Sequence, residues 1–386
     1  MDFTLSEEQR AVQEAADGLF GGLVTPERVQ QVESEVDRFD RELWAELAKA
    51  DLLGLPVPET LGGGGYGMVE VALVLEAQGR TVAPVPLLPT LVLGAMPVAE
   101  FGAEALQADL LPGVTSGEKV VSACLTDVAT DIAAGGPGRP GLRAHPLDEG
   151  FTLSGTAFAV PSAHVADRVL IPAALGDGVV VAAIDPQAAG VTIERADTTN
   201  REIHPHLHLD GVRAGPDDLL AGGDPGRGYE VLQWMLQRAW TALCALQVGV
   251  TEAAVSQTAA YLNTREQFGR PLSTFQGTML RTADAAIDTE SIRVTMWQAA
   301  WRLDQGLEAA LAVSVASWFA AEAGQRAVFA TQHLHGGIGA DISYPIHRYF
   351  LWGKQIELML GAPSAHLARL GRQVVDELKA GRAVVA

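Results

Sequence analysis

The stretch LNTREQFGRPLSTFQ, Leu262 to Gln276, follows a long apolar helical pattern and places an arginine, a phenylalanine and a glutamine close together. The guanidinium of Arg265 can form forked, charge-assisted hydrogen bonds to a pyrophosphate. Phe268 offers an aromatic face, and Gln276 can bind the polar edge of a ligand. Taken alone, the stretch favours a surface arginine beside a packing phenylalanine, and a socket for a flat anionic ligand is the alternative.

The chain around this stretch is predicted to be α+β, in the order helical, β, helical. LSEEQRAVQEAADGLF, with Ser6 and Gln9 at capping-box spacing, DRELWAELAKADLLGL and MVEVALVLEAQGRT predict amphipathic helices, and a further helical run extends to about Gly117. The segments VVSACLTDV, FTLSGTAFAV, DRVLIPAAL, GVVVAAIDP and GVTIERA are short, apolar and β-branched, which predicts strands. A long helix from about Tyr229 and three more helical patterns complete the chain. We therefore predict a helical domain over residues 1–117, a β domain over 118–222 and a helical domain over 223–386.

The composition restricts the classes of function. The 386 residues include 27 Lys and Arg against 47 Asp and Glu, a net charge of −20, which should repel nucleic acid and anionic membranes. Cys124 and Cys244 have neither zinc nor disulfide spacing, which suits a reducing compartment. MDFTLSEEQR has no apolar signal-peptide core, and the longest uncharged apolar stretch, residues 309–321, is too short to span a bilayer. We expect a cytoplasmic protein without membrane insertion.

The order of these segments resembles the acyl-CoA dehydrogenase family over nearly the whole chain. The resemblance begins at MDFTLSEEQ, continues through LWAELAKADLLGLPVPETLGGGGYG, and is most specific at REQFGRPLSTFQ and HLHGGIG. It implies a helical N-terminal domain, a middle β-barrel or sandwich domain and a C-terminal four-helix bundle. It also implies FAD as cofactor, an acyl-CoA substrate, an acceptor such as an electron-transfer flavoprotein, and tetramers built as pairs of dimers.

The resemblance assigns cofactor contacts to two segments. Arg265, Phe268 and Gln276 lie at the positions that hold the FAD of a neighbouring subunit. In TQHLHGGIGADISYP, the adjacent glycines Gly336 and Gly337 lie where the family backbone touches the same FAD, although a Gly-Gly pair alone is more often a turn. His333 occupies the usual glutamine position and Gln332 lies one place early, so either could bind the adenosine half.

Two flavin-facing segments of the middle region depart from the family. TDVATDIAAGGPG keeps Thr126 but displaces the glycines and proline of a TEPGAGSD-like loop. A Trp-Ile-Thr/Ser triplet, whose hydroxyl bonds flavin N5 in the family, is replaced by Ala159, Val160 and Pro161. Proline has neither a side-chain donor nor a backbone N–H. This subunit's own flavin wall is therefore expected to be lost, with drift in a working enzyme as the alternative.

The catalytic carboxylate is missing from both positions that the family uses. The reaction needs a carboxylate within hydrogen-bond reach of the substrate α-carbon. In KQIELMLGAPSAHLARL the best alignment places Ala362 at the late position, and in LQRAWTALCALQVG it places Ala239 at the other, with Trp240 at the arginine that usually follows. Glu357 is the only acid near the late position. The histidines, including His335, His347 and His366, have no metal-ligand spacing with an acid, so no metal site is predicted.

With these departures, the sequence resembles one chain of certain bacterial α2β2 acyl-CoA dehydrogenases, namely the chain that lacks the catalytic glutamate. In those enzymes only the other chain carries it. The hypothesis is a subunit without a catalytic residue that completes the FAD site of a second acyl-CoA dehydrogenase-like chain, for a bulky substrate such as a steroid side-chain thioester. One alternative is a self-sufficient homotetramer that uses Glu357 or another base. A flavin-free binding or scaffold protein is the third interpretation, which the retained Arg265 and Phe268 disfavour.

Overall fold

The computed structural model describes residues 4–382. The first helices are α1 (Glu7–Leu23), α2 (Pro26–Glu33), α3 (Arg41–Lys49), α4 (Met68–Thr81), α5 (Met96–Phe101) and α6 (Glu104–Thr115). The middle of the chain forms β1 (Val121–Ala123), α7 (Thr126–Ala133), β2 (Arg143–Pro146), β3 (Phe151–Ala157), β4 (Arg168–Leu175), β5 (Gly178–Ile184), β6 (Val191–Glu194) and β7 (His206–Ala214). The remaining elements are α8 (Gly228–Thr264), β8 (Glu266–Gln267), β9 (Arg270–Pro271), α9 (Gln276–Asp304), α10 (Ala310–Leu334), α11 (Ile346–Leu358) and α12 (Pro363–Lys379).

The N-terminal helices follow the predicted patterns with one early ending. Helix α1 begins with the predicted capping box, because Ser6 accepts a hydrogen bond from the Gln9 backbone and Gln9 bonds back to the Ser6 backbone. Helix α3 ends at Lys49, earlier than predicted, because Asp51 takes a positive φ of 58°. Leu52 therefore lies beyond the helix but is still buried. The short helix α2 was not predicted.

The β region forms one seven-stranded sheet in the order β1-β4-β2-β3-β7-β6, with β5 paired along β4. Strands β3 to β6 match four predicted segments, whereas β2 and β7 were not predicted. The fifth segment, VVSACLTDV, was only partly right, because its strand ends at Ala123 and helix α7 begins at Thr126. The pairs β1–β4 and β2–β4 are parallel, and the other neighbours are antiparallel.

In the described part of the chain, which ends at residue 382, four helices follow α8, so the prediction of three was one too few. Helix α10 packs against α9, α11 and α12, and it buries a row of small residues that lets these helices approach closely. The helical N-terminal part, β sheet and C-terminal bundle confirm the predicted fold class. Among the described residues, the helices lack a stretch long and apolar enough to cross a membrane.

Contacts divide the chain into two compact units. One comprises Met1–Val29, Ala72–Ala83 and Trp240–Ala386, and the other comprises Gln30–Val71 and Pro84–Ala239. The division into domains at residues 118 and 223 stays a prediction. In the first unit, α4 and α8 cross closely, because a Cβ at Gly249 would lie 2.0 Å from the carbonyl oxygen of Glu76.

Candidate functional site

The residues after α8 form a tight, exposed hairpin. Glu266 pairs with Pro271 and Gln267 with Arg270, which leaves Phe268 and Gly269 as a two-residue loop. Both loop residues have positive φ, 54° and 75°, as a type I′ turn requires. The hairpin is fixed to α8, since the N–H of Arg265 donates to the carbonyl of Tyr261 at 2.8 Å.

Phe268 is exposed in a strained conformation. Its side chain is 92% exposed, and a positive φ at a residue other than glycine costs about 1–2 kcal/mol. The ring meets Phe275 edge-on at 6.2 Å between centroids, and the guanidinium of Arg270 lies 4.0 Å above the Phe275 ring. Strain of this kind at an exposed residue is typical of a ligand contact.

Arg265 and Gln276 are both exposed. Within residues 4–382, the Arg265 guanidinium has no ion-pair partner. Gln276 is the exposed first residue of α9, immediately after Phe275. Residues 265–276, called the hairpin surface below, therefore present an unpaired cation, an aromatic ring and an amide to the outside.

The glycine segment after α10 offers open backbone. Gly336 has φ +65°, and a Cβ at Gly336 or Gly337 would meet nothing within 4 Å. His333 is exposed and stacks on Phe329, with ring centroids 6.5 Å apart and an interplanar angle of 8°. The side-chain amide of Gln332 donates instead to the carbonyl of Gly339 at 3.1 Å. Of the two candidates at the glutamine position, His333 is the one left exposed.

Tyr261 and His335 connect the glycine segment to the hairpin surface. Their rings stack with centroids 4.5 Å apart, and the Tyr261 hydroxyl donates to the His335 carbonyl at 3.5 Å. Nδ1 of His335 lies 2.9 Å from the carbonyl of Thr331, so this nitrogen carries the proton. Burial lowers the pKa of His335, which keeps the ring neutral at pH 7. His335 was assigned no role from the sequence beyond its exclusion as a metal ligand; the aromatic Tyr261, four residues before Arg265, was the signal that could have indicated this stack.

The segment that replaces the TEPGAGSD-like loop is a helix. Residues 126–133 form α7, so their backbone groups are largely committed to helical hydrogen bonds. The hydroxyl of Thr130 donates to the Thr126 carbonyl at 2.8 Å. Burial raises the pKa of Asp127, while a hydrogen bond from the Gly141 backbone opposes the rise. This segment thus lacks the open loop backbone that lies against the flavin in the family.

The segment that replaces the Trp-Ile-Thr/Ser triplet also uses its polar groups internally. The N–H of Ala159, a residue with φ +48°, donates to Nδ1 of His206 at 2.9 Å. The N–H of Val160 donates to the carbonyl of Pro205 at 2.9 Å. The carbonyl of Pro161 accepts the hydroxyl of Ser122 at 2.5 Å. Residues 159–161 therefore present neither a hydroxyl nor a free N–H.

Trp240 links the two chain segments in which the resemblance places the family's catalytic base. It lies beside Ala239 in α8, and its indole nitrogen donates to the carbonyl of Leu360 at 2.9 Å. Leu360 has a positive φ of 58°, and Ala362 is the residue that precedes α12. Trp240 is 4% exposed. A buried indole therefore lies against the late position, which has no acid at residues 360–362.

Arg369 fills the space beside Trp240 without a counter-charge. Its guanidinium lies 3.4 Å from the centre of the indole ring and donates to the hydroxyl of Ser314 at 3.0 Å. One of its terminal nitrogens, Nη1, has no hydrogen-bond partner, and Arg369 forms no ion pair with any described residue. Burial lowers the pKa of Arg369 to about 9, and burial beside this cation lowers the pKa of His366, which meets the indole edge-on, to about 3. Trp240, His366 and Arg369 are called the Trp240 cluster below.

Glu357, the only acid near the late position, is held by a lysine. It lies near the end of α11, is buried, and its carboxylate pairs with the ammonium group of Lys354 one turn earlier. This carboxylate is therefore engaged in an ion pair within its own helix.

Comparisons with known proteins identify the class. The sequence profile of the acyl-CoA dehydrogenase N-terminal domain matches residues 6–118, and that of the C-terminal domain matches residues 226–375. The chain therefore belongs to the acyl-CoA dehydrogenase family, whose members are FAD-dependent oxidoreductases.

Relatives and solved structures match the chain over nearly its full length. Acyl-CoA dehydrogenase FadE27 of Mycobacterium tuberculosis is 35% identical over 384 residues, which cover 97% of this chain and 99% of the relative. A chain of the Tcur3481-Tcur3483 steroid ACAD is 44% identical, with a TM-score of 0.89 and coverage of 97% and 100%. A chain of the ChsE4-ChsE5 complex from Mycobacterium tuberculosis is 35% identical, with a TM-score of 0.90 and coverage of 97% and 99%.

Proposed function

We propose that this chain is the non-catalytic subunit of a heterotetrameric acyl-CoA dehydrogenase and that it completes an FAD site built on the partner chain. One contrast carries the proposal. The hairpin surface is exposed and strained, with an unpaired Arg265, whereas Trp240 and Arg369 are buried against the late base position. A chain with its own active site would need the second region open.

The residues fit one half of FAD. Arg265 supplies a cation for the pyrophosphate, Phe268 an aromatic face, and Gln276 and His333 polar groups for the adenosine half. Gly336 and Gly337 let the backbone approach, because no neighbouring atom occupies the space beside them. FAD, when bound, accepts a hydride from the acyl chain. This subunit's contribution is to hold the cofactor in place.

The middle region does not fit the flavin ring of a site on this chain. Helix α7 replaces the loop, and the N–H groups of Ala159 and Val160 already have partners. In this proposal the partner chain supplies the flavin-facing hydroxyl and the carboxylate that removes the α-proton. The paired state of Glu357 supports the same assignment, since Lys354 neutralises the nearest acid.

The two-chain names of the related structures support a heteromeric assembly and a bulky substrate. The Tcur3481-Tcur3483 protein is described as a steroid ACAD, and the ChsE4-ChsE5 protein as a complex. We extend this description to the present chain as part of the proposal: an α2β2 enzyme that desaturates a steroid-like acyl-CoA. An electron-transfer flavoprotein is the proposed acceptor, and the cytoplasm the proposed location.

The decisive experiment measures flavin and assembly mass together. The chain would be purified alone and with the acyl-CoA dehydrogenase-like chain encoded beside it, and flavin per protomer would be measured by absorbance. We expect a flavin-free single chain and a complex with one FAD per two protomers. One FAD per protomer in a self-assembled tetramer would overturn the proposal. A complex without flavin would favour the scaffold interpretation.

A variant at Glu357 tests the homotetramer alternative directly. Glu357→Gln in the purified complex should leave turnover of the acyl-CoA substrate within about twofold, because this carboxylate is not the base. Glu322→Gln is the matched control, since Glu322 pairs with Arg326 one turn away in an exposed part of α10. Loss of turnover in Glu357→Gln alone would assign the base to this chain.

A further inference from the structure

We infer that Arg270 is a second phosphate-binding cation of the hairpin surface and acts together with Arg265. The inference rests on the proposed function, because it concerns the same FAD site. The resemblance assigned one arginine, one aromatic residue and one glutamine to this surface, and Arg270 was not among them. Three observations on the hairpin carry the inference: its register, the state of the Arg270 guanidinium and the charge around it.

The register places both arginines on one face. Side chains two residues apart on a strand lie on the same face, as do those of directly paired residues. Gln267 pairs with Arg270, and the N–H of Leu272 donates to the carbonyl of Arg265 at 2.8 Å, which extends the ladder by one residue. Arg265, Gln267 and Arg270 therefore share a face, and the two arginines are diagonal neighbours. Diagonal neighbours lie roughly 7–8 Å apart at Cα, within reach of two adjoining phosphates for side chains of this length.

The stack on Phe275 orients the Arg270 guanidinium without using its N–H groups. It lies 4.0 Å above the Phe275 ring, and such stacking fixes the plane of the fork while its edge N–H groups stay available. Arg270 forms no ion pair with any residue from 4 to 382. The stack also limits the side-chain entropy that Arg270 would lose when it binds an anion.

The negative charge of the chain gives a physical reason for two arginines on this face of the hairpin. The chain carries an excess of 20 acidic residues, so a dianionic pyrophosphate meets an unfavourable average field. Glu266 lies between the two arginines in sequence but on the opposite face, because it pairs with Pro271. Two cations on one face offset the repulsion locally where one would do so only in part.

The test uses the co-purified complex, stripped of flavin and titrated with FAD at several salt concentrations. Arg270→Met should raise the FAD dissociation constant about tenfold or more, as expected for a lost charge-assisted hydrogen bond. It should also weaken the salt dependence of FAD binding, because the variant has one fewer cation–phosphate contact for salt to screen. Arg270→Lys should keep the salt dependence and lose part of the affinity. Arg213→Met, an exposed arginine on β7, should change neither quantity.

The outcomes separate this inference from the proposed function. If Arg265→Met and Arg270→Met both weaken FAD binding, both stand. If only Arg265→Met does, the completed FAD site stands and Arg270 is not a ligand. If neither does, the proposed role of the hairpin surface fails as well. A lower melting temperature for Arg270→Met with unchanged salt dependence would show that Arg270 only supports Phe275, and would overturn the inference.

Discussion

The hairpin surface and the Trp240 cluster each contain an arginine stacked on an aromatic ring, but the first pair lies at an exposed loop and the second is buried. Arg270 lies 4.0 Å above Phe275 at an exposed loop, whereas Arg369 lies 3.4 Å above a buried Trp240. The exposed guanidinium keeps its edge free for a ligand. The buried one donates to serine hydroxyls and forms no ion pair with any residue from 4 to 382. Burial, and not residue type, decides whether such a pair can bind or can only pack.

If the hairpin surface contacts FAD as proposed, the contrast explains how a chain could keep a cofactor contact and have no catalytic base. A group that reaches into a partner's site needs to be exposed and oriented, and the hairpin surface meets both needs, because Phe268 is exposed and Arg270 is stacked on Phe275. A catalytic base needs an open space lined by the same chain. At the late position that space is occupied by an indole and a guanidinium, which stabilise the fold instead.

The largest expected effect comes from removal of the indole. Trp240→Ala should destabilise the complex by about 3–5 kcal/mol, because a buried aromatic side chain is lost and Arg369 loses the ring that compensates its charge. Arg369→Met should cost less, since Met fills part of the volume without a buried charge. Urea unfolding at fixed protein concentration measures both.

The double variant shows whether the two side chains act as a pair. Trp240→Ala with Arg369→Met should cost about 1–2 kcal/mol less than the sum of the single variants. Trp352→Ala, another buried tryptophan of the same unit, provides the control and should add to Arg369→Met without coupling. Strict additivity at Trp240 would show that the stack contributes only volume.

The second effect concerns a buried charge that does have counter-charges. Glu76 is buried between α4, α8 and α9, 2.7 Å from Arg293 and 3.7 Å from Arg80. Burial raises the pKa of Glu76 to about 7. The charges of Arg293 and then Arg80 oppose this rise, and the charge of Glu252 adds to it. Asp17 pairs with Arg80, and Glu290 pairs with Arg293. The folded state therefore binds this proton more tightly than the unfolded state, in which the pKa is 4.5. Stability from this group falls as pH rises from about 4.5 to about 7, by up to roughly 3 kcal/mol.

Thermal unfolding between about pH 4 and about pH 8 measures this contribution as a difference. Relative to Glu76→Gln, the native protein should gain stability as the pH falls from about 7 to about 4.5, and the difference should stop changing with pH once Glu76 is protonated in both the folded and the unfolded state. Glu290→Gln, whose carboxylate is mostly exposed beside the same Arg293, serves as the comparison and should not change the slope. Parallel curves for the native protein and Glu76→Gln would contradict the raised pKa.

The sequence predicted the features that depend on local sequence patterns. It did not predict the features that depend on contacts between residues far apart in the chain. The fold class and the bounds of α4 followed from periodicity, and the capping box at Ser6 fixed the start of α1. The strand predicted over VVSACLTDV was too long, because it ends at Ala123 and helix α7 begins at Thr126. Its apolar residues Val128 and Ile132 are four apart, which suits a helix face as well as a buried strand.

The candidate site divides in the same way. Arg265, Phe268, Gln276, His333, Gly336 and Gly337 were found by segment order, and their role toward FAD stays a proposal. The stack of Tyr261 on His335 joins residues 74 apart in the chain, and that of Arg369 on Trp240 joins residues of α8 and α12. No local pattern reports such pairs, so the sequence predicted absent acids but not what fills their place.

The third effect separates two neighbouring glycines. Gly336→Ala should destabilise the complex by about 1–2 kcal/mol, because φ +65° is unfavourable for any residue with a Cβ. Gly337→Ala should stay within about 0.5 kcal/mol, since its Cβ meets no atom, yet it should weaken FAD binding if the backbone lies against the cofactor. Unfolding of the flavin-stripped complex and FAD titration measure the two quantities separately. Unchanged FAD affinity in Gly337→Ala would place the cofactor away from this segment.

The smallest effect has the opposite sign and tests the strain at the hairpin. Phe268→Asn should stabilise the flavin-stripped complex by about 0.5–1 kcal/mol, because Asn followed by Gly is favoured in a type I′ turn, whereas Phe at φ +54° is strained. The same variant should bind FAD more weakly, since the exposed ring is lost. Phe158→Asn, at a half-exposed phenylalanine that is not among the residues with positive φ, should give no gain in stability. A gain in stability with unchanged FAD affinity would mean that Phe268 serves another contact, and the hairpin surface would then have to be reassigned to a partner protein.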